Sequence, residues 1–359
     1  MVVAGAVSSR GPVSGRRTLA LVAAVAVVVA VAVGATLVAG GGHERSETPP
    51  PSTSAPVATT LPLLGTPGRV PRRTALAVKI DDTERGRPPT RLTRADVVFE
   101  EMVEGGLTRL LAVYHSRDPG TVGPVRSARS TDLSILAELG RPLFAWSGAN
   151  ATFAAAVRAA DVVDVGVAAA PGAYRRAGDR RAPYNLYAAP VRLRAAGAGD
   201  AGSATPPRAL FSYRAAGVPL SGPGAGPADG FRTTGAGAVG TRVEWSWSPD
   251  LAAWVRSQNG TPHVDRDGVR VRAANVVVRW TPYGDSGVGD STGAVVPKAR
   301  AVGAGAAWLL SGPRVLRGRW HKPAAGAPTT YTDAAGRPLL LAPGPTWVEV
   351  LPPGAGEMV

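Results

Sequence analysis

The chain of 359 residues contains no cysteine. Disulfide bonds, cysteine-ligated metals, a thiol nucleophile and lipid attachment through an N-terminal cysteine are therefore all excluded. Histidine is also scarce, with four residues in all. A zinc site would need at least two of His115, His263 and His321 together with carboxylates. The sequence therefore predicts no bound metal and no cofactor, and a folded part that is stabilised by its core alone.

Lysine is the second scarcity, since it occurs only at Lys79, Lys298 and Lys322. The formal net charge of +14 comes almost entirely from arginine, and such a charge permits attraction to nucleic acid, anionic lipid or acidic wall polymers. Arginine in place of lysine, with abundant Ala, Gly, Pro and Val, is also typical of a GC-rich coding sequence. No basic helix or aromatic-interleaved basic sheet is apparent, so nucleic acid is not predicted as a partner.

One long apolar run, residues 18–40, contains no charged residue. At 1.5 Å per residue a helix over this run is about 34 Å long, which suffices to cross a bilayer. Arg10, Arg16 and Arg17 precede it, and positive residues stay on the cytoplasmic side. A cleaved signal peptide is the competing interpretation, but its apolar region is usually about 7–15 residues long. We expect a single-pass plasma-membrane anchor with residues 1–17 as a basic cytoplasmic tail.

The rest of the chain predicts two folded domains behind a stalk. Residues 41–73 are rich in Pro, Ser and Thr and predict an extended stalk outside the membrane. Residues 74–197 predict an α+β domain, and residues 208–353 predict a mainly β domain with short strands between turn residues. An Ala/Gly/Pro-rich linker, residues 198–207, separates them, and residues 354–359 are predicted to form a tail.

Within the α+β domain the local signals are specific. ALAVKIDD reads as a buried strand, and VVFEEMV and LTRLLAVYHS read as a strand pair about Gly105-Gly106. Ser130, Thr131 and Asp132 are expected to cap a short helix, LSILAEL, which is followed by a strand at residues 142–146. Asn150 is expected to cap a helix through about Ala160, because asparagine accepts hydrogen bonds from free helical N–H groups.

Ionisable residues are densest between Ala95 and Asp132, beside these apolar strands. Such groups are costly next to a buried face unless they pair or serve a site. The segment holds five candidate residues, namely Glu100, Glu104, Arg109, Arg126 and Arg129. Arginine forks bind phosphate or carboxylate in a bidentate manner, and a helix N-terminus adds backbone donors. The alternative is that the arginines pair with the glutamates and brace the sheet, and the sequence leaves both open.

Four further candidates lie near this segment or in a second basic loop. Asp81 ends the first strand and could join a carboxylate pair or remain a solvated turn residue. His115 ends LTRLLAVYHS and is either a general base or a structural cap, with the structural role favoured. Arg181 and Asn185 belong to RRAPYNLY, whose rings, amide and charges suit a sugar or phosphate ligand, or equally a solvated loop.

Several motifs, taken in order, resemble the YerB-like lipoprotein family of bacterial envelope proteins, which carries domain of unknown function 3048. They are AVKIDD, RPPTRLTRADVVFEEMVEGGLTRLLAVYHS, VGPVRSARSTDL, RRAPYNLY, GRWHKP and TTYTDAAGRPLLLAPGPTWVEVLP. The resemblance covers about residues 74–352 and implies N- and C-terminal domains outside the cytoplasm, with no settled activity. Many members carry a lipid-modified cysteine, whereas this chain has none and offers an apolar run instead.

Three functions are compatible with these features. The first is a membrane-anchored envelope protein that binds a phosphate- or glycan-bearing anion without chemistry, through a pocket formed by Arg109, Arg126, Arg129 and Glu104 with Asn185 at its rim. The second is an enzyme acting on a phosphorylated or lipid-linked wall precursor. The third is an adaptor that docks an envelope protein of a membrane complex. The absence of a complete catalytic motif in the sequence favours the first.

Overall fold

A computed structural model of the chain describes residues 59–200, 205–234, 240–289 and 293–359. These residues all lie in one unit, Pro56–Val359. The predicted cytoplasmic tail and anchor, residues 1–40, lie outside the described residues, as does most of the predicted stalk. Across the described ranges no helix combines the length and the apolar character that crossing a bilayer requires.

This unit is mixed and rich in strands, which confirms the predicted class in its coarse form. Its described helices are α1 (Ser130–Leu136), α2 (Ala151–Ala159) and α3 (Pro190–Ala196). Its described strands are β1 (Leu76–Asp81), β2 (Val97–Met102), β3 (Thr108–Tyr114), β4 (Leu143–Ala145), β5 (Val163–Asp164), β6 (Tyr174–Arg176), β7 (Leu186–Ala188), β8 (Ser212–Tyr213), β9 (Gly226–Pro227), β10 (Gly230–Thr233), β11 (Val243–Ser248), β12 (Ala253–Gln258), β13 (Thr261–Pro262), β14 (Arg272–Ala273), β15 (Asn275–Trp280), β16 (Tyr283–Gly289), β17 (Val295–Ala299), β18 (Gly303–Ser311), β19 (Arg314–Lys322), β20 (Thr330–Asp333), β21 (Leu340–Leu341), β22 (Thr346–Leu351) and β23 (Gly356–Met358).

One large sheet runs through both predicted domains. Its strand order is β20-β19-β18-β15-β22-β2-β3-β1-β4-β5, with β9 paired to β19. The predicted hairpin is present, since β2 and β3 are antiparallel with Val97 opposite Val113. The other edge of β2 pairs in parallel with β22, which places Glu100 beside Glu349. The N-terminal strands and the C-terminal strands therefore share backbone hydrogen bonds in a single sheet.

A second sheet covers one face of the first. Its order is β13-β12-β11-β10-β23, with β14 paired to β12. Trp245 and Trp254 of this sheet are fully buried in one core cluster with Val98 and Val276 of the large sheet. The rings of Trp245 and Trp347 lie 5.2 Å apart in an edge-to-face arrangement, which is a favoured geometry for aromatic pairs.

Helices α1 and α2 cover the opposite face of the large sheet. Ile135 and Val157 pack in a second core cluster with Phe99 and Leu111. Side chains of a strand point alternately to the two faces. Consequently even-numbered residues of β2, including Glu100, face the second sheet, while the odd-numbered residues of β1, β2 and β3 face the helices.

The predicted start of α2 is confirmed, whereas α1 begins at Ser130, within the predicted capping segment. The side chain of Asn150 accepts a hydrogen bond from the backbone N–H of Phe153 at 2.9 Å and caps α2. Helix α1 begins at Ser130, and Asp132 accepts from the backbone N–H of Arg129 at 2.7 Å. These contacts satisfy backbone donors that the first turn of a helix leaves unpaired.

Two predicted boundaries need correction. Leu63 and Leu64, assigned to the stalk, are buried, and the carbonyl of Leu64 accepts a hydrogen bond from Gly344 at 2.7 Å. Packing thus begins before residue 74, because the apolar LPLL run gains from burial. Residues 354–359, predicted as a tail, contain β23, which pairs with β10. The predicted linker, residues 198–207, lies partly outside the described residues.

Candidate functional site

Three arginines converge on one cleft at the end of β1 and the start of β3. Arg109, Arg126 and Arg129 line a cavity of about 460 Å³. Its remaining walls come from the segment after β4, the start of α2, strand β17 and two loops, through Ser127, Gly148, Ala149, Asn150, Phe153, Pro183 and Val296.

Backbone pairing holds these arginines in place. Arg109 is the second residue of β3 and faces the helices. The segment that carries Arg126 and Arg129 runs beside the end of β1, where the N–H of Arg126 donates to the carbonyl of Lys79 at 2.9 Å. It also meets the segment after β4, where the N–H of Ala128 donates to the carbonyl of Gly148 at 3.1 Å. A strand end and two neighbouring loops therefore fix the arginine backbones.

Arg129 forms a two-pronged ion pair with Glu104. Its Nε lies 2.6 Å from Oε1 and its Nη2 lies 3.0 Å from Oε2 of that carboxylate. Both side chains are nearly buried, with 10% and 12% of their surface exposed. Its Nη1 donates to the carbonyl of Ala128 at 2.8 Å. Paired forks of this kind are strong and directional, so Glu104 orients Arg129 at the cleft wall.

Arg126 pairs with Asp81 at the end of β1. Its Nε lies 2.8 Å from Oδ2 of Asp81. The other carboxylate oxygen of Asp81 accepts from the N–H and the hydroxyl of Thr83 at 2.7 and 2.6 Å. The guanidinium of Arg126 also lies over the ring of Tyr184, 5.2 Å from its centre. Arg126 is thus held between a carboxylate and an aromatic face.

Arg109 differs because no carboxylate lies within 4.0 Å of it in the described part of the chain. It is buried, and its Nη1 makes a long hydrogen bond of 3.4 Å to the carbonyl of Ser127. Its Nε is buried without a hydrogen-bond partner in the structure. Burial, together with the charges of Arg129 and Arg126, lowers the pKa of Arg109 to about 10, against the opposing effect of Glu104 and Asp81.

The cleft therefore carries three guanidinium groups against two carboxylates. A group with a pKa near 10 is still almost fully charged at pH 7. An anion bound in the cleft would neutralise the excess positive charge and accept hydrogen bonds from unpaired N–H groups of Arg109. Among the described residues of the lining there is no His, Asp or Glu to act as a general base. This arrangement can bind an anion, and it offers no proton-transfer group at the lining.

The structure brings together five of the nine predicted site residues. Arg109, Arg126 and Arg129 line the cleft, while Glu104 and Asp81 pair with two of them. The remaining four, Glu100, His115, Arg181 and Asn185, do not line it.

Glu100 lies on the opposite face of the sheet from Arg109. Its carboxylate accepts from Nη2 of Arg256 at 2.7 Å and from the indole of Trp347 at 3.1 Å. Glu100, a candidate ligand-binding residue, does not reach the arginine cleft, because the alternation of side chains along β2 turns it toward the second sheet.

His115 and Asn185 lie outside the cleft lining and contact backbone carbonyls. The Nε2 of His115 lies 3.2 Å from the carbonyls of Pro71 and Arg73, and burial lowers the pKa of its ring. Asn185 was predicted at the pocket rim, but its amide is fully used within its own loop. Its Nδ2 donates to two backbone carbonyls at 2.9 Å, and its Oδ1 accepts from Arg176 at 2.8 Å. Arg181 is exposed outside the cleft lining.

A buried polar network between the two sheets was not predicted. The guanidinium of Arg256, with no exposed surface, contacts Glu100, Asp82, Gln258 and His263. Its Nη1 lies 2.6 Å from both Oε1 of Gln258 and Nδ1 of His263. Two apolar strands, AWVRSQ and TWVEVL, each contain one charged residue, Arg256 and Glu349 respectively. This pattern is the signal in the sequence that indicates the network.

Burial dominates the acid–base properties of this network. It raises the pKa of Asp82 to about 7, with Arg256 opposing and the charge of Glu100 reinforcing the shift. Burial and the charge of Glu100 also hold the pKa of Glu349 well above its ordinary value. Burial and the charge of Arg256 hold the pKa of His263 well below its ordinary value. Both shifts favour the neutral forms of the His263 ring and the Glu349 carboxyl. In the described ranges no group of three or more His, Asp or Glu side chains is arranged to hold a metal ion.

Comparison with known proteins establishes the family. Residues 63–203 match the N-terminal domain, and residues 235–348 the C-terminal domain, of the protein of unknown function DUF3048. The chain belongs to this family, which confirms the resemblance found in its motifs.

Two relatives illustrate the likeness. Over 79 residues the chain is 42% identical to the protein named Putative lipoprotein YerB of Bacillus subtilis (strain 168), an alignment that spans 22% of this chain and 24% of that protein. The chain thus spans about a quarter of that relative in sequence. The crystal structure of YerB protein from Bacillus subtilis is similar with a TM-score of 0.72 and 23% identity, over 84% of this chain and 99% of that chain. At that identity the likeness concerns the fold.

Proposed function

We propose that this protein is a membrane-anchored, extracytoplasmic envelope protein that binds an anionic ligand through the cleft of Arg109, Arg126 and Arg129. The observation that carries the proposal is Arg109, a buried guanidinium with no carboxylate partner in the described residues. A buried charge without a counter-ion is costly. A bound phosphate or carboxylate would supply that counter-ion, whereas an arginine that only braces a sheet has its counter-ion within the protein.

The walls of the cleft favour an anion joined to a less polar group. Phe153 lines the cavity, and Tyr184 stacks with Arg126 next to it. Ligand sites commonly combine apolar or aromatic walls with a few polar groups that set orientation. A sugar phosphate or a phosphate-bearing glycan matches this combination, because its ring can pack on aromatic surface while its phosphate meets the arginines.

The location is part of the proposal. The relative from Bacillus subtilis is named a lipoprotein, which is a membrane-attached class of protein. This chain has no cysteine for lipid attachment, and its uncharged run at residues 18–40 is long enough to span a bilayer. We therefore propose anchoring by that run with the folded unit outside the cytoplasm.

Isothermal titration of the full-length chain in non-ionic detergent with inorganic pyrophosphate tests the site. Arg109→Gln should weaken binding by at least about tenfold, since hydrogen bonds to charged groups contribute about 1.5–3 kcal/mol each. Glu104→Gln should strengthen binding, because it frees the fork of Arg129 and removes a competing negative charge. Arg319→Gln, at an exposed position, is the matched charge control and should change affinity less than twofold.

The same titrations can refute the proposal. If Arg109→Gln and Arg126→Gln both bind pyrophosphate as the unsubstituted chain does, the cleft is not an anion site. Loss of affinity in Glu104→Gln would instead indicate that this carboxylate contacts the ligand or supports the cleft. Mass spectrometry of molecules that co-purify with the full-length chain would then separate glycan, lipid-linked phosphate and protein partners.

A further inference from the structure

A second arginine-rich cleft lies at the other end of β2 and β3. It has a volume of about 410 Å³ and is lined by five arginines, Arg91, Arg94, Arg117, Arg270 and Arg272, with a single carboxylate, that of Asp267. Arg109 is near the start of β3 and Arg117 lies just beyond its end. A strand rises about 3.4 Å per residue, so the two clefts are about 20 Å or more apart along the sheet.

The arginines of this cleft come from three separate segments. Arg91 and Arg94 belong to the turn before β2, Arg117 follows β3, and Arg270 and Arg272 precede and begin β14. The turn before β2 is tied to the C-terminal half, because the buried carboxylate of Asp265 accepts from the backbone N–H groups of Leu92 and Thr93 at 2.9 and 3.0 Å. The cleft is therefore a fixed junction of the two halves.

Most of its positive charge is uncompensated. Arg91 pairs with Asp267 at 2.6 Å. In the described residues no carboxylate lies within 4.0 Å of Arg94, Arg117 or Arg272, and all three are exposed. Arg270 is half-buried, donates Nη2 to Ser257 at 3.0 Å, and leaves its buried Nη1 without a partner. Five guanidinium groups thus face one carboxylate.

We propose that this second cleft binds a linear polymer with repeated phosphate groups. Arginines from three segments, several of them extending into solvent, are spread along the cleft walls. One small anion would engage one or two of them and leave the others unpaired, whereas a phosphate chain engages several at once. A concave cleft also suits a chain better than a flat membrane surface, which favours the polymer over anionic lipid.

The test measures binding of long-chain inorganic polyphosphate and of inorganic triphosphate to the full-length chain in non-ionic detergent at several salt concentrations. The triple variant Arg94→Gln/Arg117→Gln/Arg272→Gln removes three exposed arginines and should leave the fold intact. It should weaken binding of the long chain by about tenfold, as expected for three exposed charge contacts. The salt dependence of its affinity should also become shallower, because fewer counter-ions are released.

The matched control is Arg158→Gln/Arg208→Gln/Arg319→Gln, which removes the same charge from exposed positions elsewhere and should change affinity less than twofold. Equal losses in both triple variants would mean that net charge alone drives binding and would overturn the proposal. Triphosphate binding as tightly as the long chain would also overturn it. The triple variant should keep the pyrophosphate affinity of the first cleft, whereas Arg109→Gln should lose it, so failure of this cleft is distinguishable from failure of the first.

Discussion

Replacing Arg256 by methionine should destabilise the protein strongly. Arg256 has no exposed surface, and its Nη2 lies 2.7 Å from Oε1 of Glu100 and 3.1 Å from Oδ2 of Asp82. Methionine retains much of the apolar stem but removes the charge. The two carboxylates, contributed by the N-terminal half, then lack their only close cation in the described structure.

The size of the effect follows from two independent estimates. Removing one partner of a buried ion pair typically costs about 3–5 kcal/mol. The uncompensated carboxylate can instead take up a proton, and protonating an ordinary glutamate at pH 7 costs about 4 kcal/mol. Both routes predict a loss of about 4 kcal/mol in the free energy of unfolding. Because proton uptake is easier in acid, the loss should shrink by about 2 kcal/mol or more at pH 5.

Urea unfolding of the full-length chain, followed by tryptophan fluorescence at pH 7 and pH 5, measures this. The probe is local, since the indoles of Trp347 and Trp245 donate to Glu100 and Glu349 at 3.1 and 2.7 Å. Arg317→Met is the matched control. Its guanidinium lies 5.0 Å from the centre of the Trp308 ring, but the residue is exposed. The control should lose less than about 1 kcal/mol.

Two results would refute the reasoning. A loss below about 1 kcal/mol at pH 7 would mean that the network does not depend on this cation. A loss that is the same at pH 5 would mean that packing, and not an uncompensated carboxylate, determines the cost. The double variant Arg256→Met/Glu100→Gln provides a further check, because it removes the orphaned charge and should recover part of the stability.

Three shorter predictions concern other buried carboxyls, each measured by urea unfolding. Burial and the charge of Asp132 raise the pKa of Glu101 from 4.5 to about 7. The stabilising contribution of this carboxyl is therefore complete below about pH 4.5 and is lost as pH rises through about 7. In Glu101→Gln the free energy of unfolding should decrease less steeply over that pH range. The stability of Glu349→Gln relative to the unsubstituted chain should rise between about pH 4 and about pH 7, because burial raises the pKa of this carboxyl and the unsubstituted chain therefore loses stability as pH rises. In Gly86→Ala a Cβ would come within 2.5 Å of Cγ of Asp81, and we expect a loss of about 1–3 kcal/mol.

An element of the fold could be predicted from the sequence where the residues that specify it all lie within one short segment. The β2–β3 hairpin follows from two apolar runs about Gly105-Gly106, both of which have positive φ in the structure. The Asn150 cap of α2 likewise depends on residues within one turn. Such elements need no distant partner to define them, which is why pattern and capping residues sufficed.

The parallel pairing of β2 with β22 could not be predicted in this way. These strands are separated by more than 240 residues, and their partnership depends on the global packing of both halves. A boundary drawn from composition therefore separated segments that share one sheet. The predicted domain limits stay predictions as folding units, although the family domains match two separate stretches of the chain.

The candidate site could have been drawn more accurately from alternation along β2. In VVFEEM the residues Glu100 and Glu101 are neighbours, so their side chains must point to opposite faces. Arg109 lies opposite Glu101 in the hairpin register, which assigns Arg109 to the face of Glu101 and away from Glu100. Charge density alone merged two sites into one. The alternation of side chains along the hairpin distinguishes a cleft that an anion can enter from a buried network that joins the two sheets.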